Sequence, residues 1–240
     1  MLVLFSAAMC LLLCAPGLKT APRVVGLAAL LCGLDTLVVT LPSWHWDWFN
    51  PGLGYNWAGK LFSLLLSAAV IYGLRWVSPA EVGLRPPAVH SWRVAGLVLA
   101  GFGLFQLVNG YSVRHHHPRP SPEALLYELT MPGLAEELFS RGILPGLLHR
   151  VFPRTLPFLG TRTSWGGVVS VVLFVLGHVF SFTGPLALLP KVHFTFELVT
   201  GIGLWGTLFL WARERTGSVW AAVAAHNLGN FCLYLGRWML

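Results

Sequence analysis

The chain has 240 residues, 55% of them hydrophobic and only 10% charged, with a mean hydropathy of +0.68. A soluble domain carries about 25% charged residues, so this composition excludes an ordinary soluble fold and predicts a multipass membrane protein. The formal net charge of +7 does not point to nucleic acid, because the basic residues cluster between apolar runs as positive-inside topology requires.

Apolar stretches near the ~20 residues needed to span a bilayer fall at 2–18, 24–41, 57–77, 92–113, 124–148, 165–182, 194–212 and 219–239. The first has no Lys or Arg ahead of Lys19 and no A-x-A site behind it, so it reads as a retained helix and not as a secretory signal. Trp44-His-Trp-Asp-Trp-Phe49 follows the second stretch and reads as an aromatic belt at headgroup level. His115-His116-His117 reads as a solvated loop, and the Pro118-Arg-Pro-Ser-Pro122 run after it as a connection. The fifth stretch contains Pro132-Gly133, which predicts a short amphipathic helix followed by a kinked span. Cys10, Cys14, Cys32 and Cys232 all lie in apolar runs without a CxxC pair, so they read as small buried hydrophobes.

The basic residues assign sides. Lys19, Arg23, Arg75, Arg85, Arg93, Arg150, Arg154, Arg162, Arg213 and Arg215 fall in alternate connections; Lys60, Arg114, Arg119, Lys191 and Arg237 fall on the opposite face. The richer set belongs in the cytoplasm, which puts both termini outside the plasma (cell inner) membrane. The expected fold is all-α, a single integral membrane bundle of about eight transmembrane helices around an intramembrane cavity. Residues 1–120 supply N-terminal spans and 121–240 the catalytic core.

Glu136 and Glu137 stand side by side in the fifth stretch, with Arg141 behind them. Each carboxylate at membrane depth costs at least ~2.5–3.5 kcal/mol on insertion scales, which marks a functional position. The sixth stretch carries Phe174 and His178, and the eighth carries His226 and Asn230, each pair four apart and so on one helix face. At ~1.5 Å per residue, Glu136, His178 and His226 can meet near one level of the bilayer.

The three patterns Glu136-Glu137-x-x-x-Arg141, Phe174-x-x-x-His178 and His226-x-x-x-Asn230 together resemble the motif set of the CPBP intramembrane proteases. That family includes CAAX prenyl endopeptidases, bacteriocin-processing and Abi-type proteins, and C-terminal sorting proteases such as myxosortase. Order and spacing match over Glu136 to Asn230. Ser140 departs from the pattern, which often has Phe before the arginine, and the change bears on packing more than on chemistry. Trp57-x-Gly-Lys60 and Val82-Gly-Leu-Arg85 also stand at familiar places.

The resemblance implies an intramembrane endopeptidase. Glu136 would be the general base that activates water, with His178 helping to hold it, and His226 and Asn230 would donate to the oxyanion. Arg141 lies four after Glu137, its easier same-face partner, so this pair is read as structural and electrostatic support. No cofactor is expected; the alternative is a zinc ion held by Glu136, His178 and His226, although no HExxH is present. Other readings are a non-catalytic scaffold or immunity protein, or a proton-coupled transporter, against which no inverted repeat is seen. The expected partners are the lipid bilayer and a membrane-anchored protein or peptide: a C-terminal sorting tag, a CAAX-like tail or a leader peptide. Sorting or peptide processing is the favoured context.

Overall fold

The computed structural model describes residues 2–181 and 191–239. Each predicted stretch holds a helix: α1 Leu2–Leu13, α2 Pro22–Trp44, α3 Trp57–Ala68, α4 Val89–Val113, α5 Pro122–Glu137, α6 Trp165–Val179, α7 Phe196–Thr216 and α8 Val219–Trp238. Residue 182, the predicted end of the sixth span, lies outside the described residues. Among the described residues, Pro22–Trp44 and Ser91–His116 are long and apolar enough to cross a membrane by length and composition alone. Two physical reasons keep several of the other rods out of that set. At 12 residues, α1 covers about 18 Å against a hydrocarbon core of about 30 Å. Helix α5, 16 residues long, carries glutamates within its length, and α7 carries both acidic and basic residues.

Two small antiparallel ladders interrupt the helical pattern. Leu156–Phe158 pairs with Thr161–Thr163, and Phe180–Ser181 pairs with Lys191–Val192. The first turns through Leu159 and Gly160, both at positive φ, as a two-residue hairpin requires.

The helices pack around two apolar clusters. One gathers Cys10, Cys14, Leu31 and Cys32 with Val70, Ile143, Leu147 and Val169; the other joins Ala95 and Leu99 to Phe209, Ala212, Ala222 and Ala225. Helix α8 lies close along α4 because Gly110 faces the Leu233 backbone and Gly236 faces the Leu107 carbonyl, where a Cβ would not fit.

Helix α5 departs from its predicted break. It runs unbroken through Pro132, and α8 braces it there at two backbone groups. Asn227 Oδ1 accepts from the Gly133 N–H at 2.7 Å, and Asn227 Nδ2 donates to the Thr130 carbonyl at 3.0 Å. The irregularity comes later, as a π turn at Leu138–Ile143 directly after the two glutamates, before the helix resumes over Leu144–Leu148. Such turns are frequent at functional sites because they re-aim the side chains around them.

Connections assigned to one side by charge do meet at one end. Gly17 packs on Val151, Arg150 pairs with Glu81, Arg85 Nε donates to the Gly217 carbonyl, and Arg213 donates to the Glu81 carbonyl. Arg213, expected in a loop, is the last-turn residue of α7 and is 3% exposed, because the carbonyls of Arg141 and Glu81 take its N–H groups.

Candidate active site

The π turn leaves Glu136 and Glu137 in different surroundings. Glu137 is fully buried, and Oε1 is 2.8 Å from His226 Nδ1 and accepts from Arg141 at 3.3 Å. The Arg141 Nε lies 3.2 Å from Glu137 Oε2. Arg141 is itself fully buried, donates to the Gly206 carbonyl at 3.0 Å, and lies over the Phe174 ring at 4.2 Å. A side chain at Gly206 would collide with this guanidinium. The other face of the His226 ring stacks on Phe209, with centroids 4.8 Å apart. Glu137 and Arg141 therefore lock three helices together, since a buried charge is tolerated when paired and hydrogen-bonded.

Glu136 keeps 24% of its side chain exposed, to an internal space. Its partner is Lys60, whose Nζ lies 2.5 Å from Glu136 Oε1. This corrects the placement of Lys60 on the outer face. The side chain is 12% exposed and turned into the bundle, where a lysine needs a counter-charge. Asp35 on α2 lines an adjoining space that Glu136 and Lys60 also border, and it accepts from Ser63 Oγ.

Two cavities meet at this point, and both are lined by Lys60, Glu136, Phe174 and His178. The first, about 270 Å³, is mostly apolar, with Leu2, Phe5, Met9, Val39, Phe139 and Leu173 in its wall. The second, about 280 Å³, adds Glu128, Trp205, Phe209, His226 and Asn230. All four residues expected to do chemistry thus border one cavity, brought there from α5, α6 and α8.

The polar atoms around the second cavity have defined partners. His178 Nδ1 lies 2.7 Å from the Phe174 carbonyl; a carbonyl can only accept, so Nδ1 carries the proton and Nε2 is left for the cavity. Asn230 Nδ2 donates to Glu128 Oε2 at 2.8 Å, which leaves its second N–H. Glu128, 7% exposed, was not anticipated from the sequence, and neither were Asp35, Lys60 and Asn227. Its signal was available: it is a third carboxylate in the apolar stretch of Glu136. Among the described residues no three His, Cys, Asp or Glu side chains group to hold a metal ion. Glu136 is turned to Lys60, while both histidines are held through Nδ1 and keep Nε2, the nitrogen a metal would take, open.

Residues 119–232 match the family model described as type II CAAX prenyl endopeptidase Rce1-like. The chain carries an Rce1-like domain. Comparison with curated proteins and with solved structures gives no match. The similarity over residues 119–232 is to a family of membrane-integral CAAX-type proteases. That stretch contains Glu136, Glu137, Arg141, His178, His226 and Asn230. Lys60 and Asp35 come from outside it, so the site draws on both halves of the chain.

Proposed function

We propose that the protein hydrolyses a peptide bond in a membrane-anchored protein or peptide by water activated at Glu136, without a resident metal. The observation that carries this reading is the second cavity, which gathers Glu136, His178, His226 and Asn230 from three helices. Glu136 is the carboxylate with open space beside it, whereas Glu137 is enclosed by Arg141 and His226. A water at Glu136 would give up its proton to the carboxylate as it attacks the scissile carbonyl, and the free Nε2 of His178 accepts a hydrogen bond from that water.

The developing oxyanion needs donors. Asn230 offers its second N–H while Glu128 fixes the amide by the first. His226 donates to Glu137 through Nδ1, so it contributes at Nε2 when both ring nitrogens carry protons. Lys60 is the counter-charge that allows Glu136 to stand ionised in an apolar bundle. Entry of substrate and water displaces it toward Asp35, which lines the adjoining cavity. That first, mostly apolar cavity suits the hydrophobic part of a membrane-anchored chain, a C-terminal sorting tag or a processed tail or leader. The setting is a multipass protein of the cell inner membrane.

Comparative membrane proteomics of a deletion strain, complemented with wild-type protein or Glu136→Gln, tests the reading. Precursors that accumulate in the deletion strain should persist with Glu136→Gln and disappear with wild type. Full processing by Glu136→Gln would end the assignment. In purified membranes a zinc chelator should leave processing unchanged; inhibition reversed by added zinc would replace the metal-free mechanism.

A further inference from the structure

The end of the bundle where the basic connections meet holds a cavity of about 530 Å³ that the hydrolytic site does not use. Arg85, Arg154, Arg162 and Arg213 line it, with Glu214 as the acidic member. Four guanidinium groups against one carboxylate leave an excess of three positive charges. Glu214 is already shared: Arg213 lies 3.0 Å and Arg154 3.2 Å from its Oε2, and Thr163 donates to its Oε1. Arg85 is held through Nε by the Gly217 carbonyl and has no carboxylate partner among the described residues. Arg162, on the hairpin strand Thr161–Thr163, makes neither a hydrogen bond nor an ion pair among the described residues.

Positive-inside topology alone would scatter these arginines over a surface. Here the segment after α3, the hairpin after α5 and the last turn of α7 converge on one concavity. Arg213 is rigidly aimed, since the Arg141 and Glu81 carbonyls fix its other N–H groups. Like charges held this close repel one another unless an anion joins them. The guanidinium fork fits phosphate oxygens in a bidentate manner, with N–H groups left over on Arg85 and Arg162. We propose that this arginine-lined cavity binds a phosphate group, carried by an anionic lipid headgroup or free in solution.

The test uses the full chain in phosphatidylcholine nanodiscs, titrated with short-chain phosphatidylglycerol or with inorganic phosphate, and read by native mass spectrometry and thermal shift. Short-chain phosphatidylcholine is the zwitterionic control. Wild type should bind phosphatidylglycerol, phosphate or both above that control, and the stronger of the two identifies the source. Arg162→Gln should weaken binding roughly tenfold, the scale of one charge-assisted hydrogen bond. It removes no contact within the chain, and Arg85→Gln provides a second variant. Lys19→Gln, a basic residue in another connection at this end, should bind as wild type does. Binding no stronger than the phosphatidylcholine control would overturn the proposal. So would wild-type binding in both arginine variants, or an equal loss in Lys19→Gln, which would indicate diffuse attraction.

Discussion

Two carboxylate clusters in this protein differ in how they are solvated, and the difference separates chemistry from fastening. Around Glu136 and Glu137 the charges lie inside the bundle: the Glu137–Arg141 pair is fully buried and Lys60 is 12% exposed. At the connection end, Glu81 and Arg150 pair at 2.7 Å with more than a third of each side chain exposed. The buried set must be complete, because removal of one member strands the other in low dielectric. The exposed pair has water as a substitute, and its loss should be mild.

The widest gap between the clusters is chemical. Glu136→Gln should lower processing by at least about 10²–10⁴, the usual contribution of a general base, with normal protein level. Glu137→Gln or Arg141→Met should instead cost about 3–5 kcal/mol of stability, visible as a lower melting temperature in detergent. If Glu137→Gln folds as wild type does and loses only turnover, the division between the two neighbours is wrong. Asn230→Ala should lower turnover about 10²–10³-fold, or about 2.7–4 kcal/mol of barrier. A parallel fall in protein level would make it another fastening.

The smallest effect belongs to the connection end. The Arg150 guanidinium hydrogen-bonded to Glu81 holds its carboxyl down at about 2, from an ordinary 4.5. The stabilisation is present above the ordinary value and is lost as the pH falls from about 4.5 towards 2. Glu81→Gln should flatten that part of the stability curve, and at neutral pH it should change stability by about 0–1 kcal/mol. A large loss at neutral pH would show that the pair is as indispensable as the buried one.

How much of this was readable from the chain depends on distance along it. Helix positions followed from apolar runs, and the partnership of Glu137 with Arg141 followed from a four-residue spacing. The Lys60–Glu136 pair crosses 76 residues, and no local periodicity reports such a contact. Its trace was that Lys60 lies inside the stretch 57–77, where a solvated loop charge does not belong. Pro132 misled for a related reason: the brace that Asn227 on another helix gives the backbone beside it is invisible in sequence.

The Asn227 bridge has a mechanical consequence. It clamps α8 to α5 at two backbone points beside Pro132 and so joins the two helices into one body. Glu128, Glu136, Glu137, His226 and Asn230 ride on that body, while Lys60 on α3 and His178 on α6 belong to its surroundings. The clamp therefore holds the proposed base, Glu136, in register with His226 and Asn230. In the proposed reaction a peptide that reaches Glu136 must part the Lys60–Glu136 pair, so that ion pair doubles as a latch.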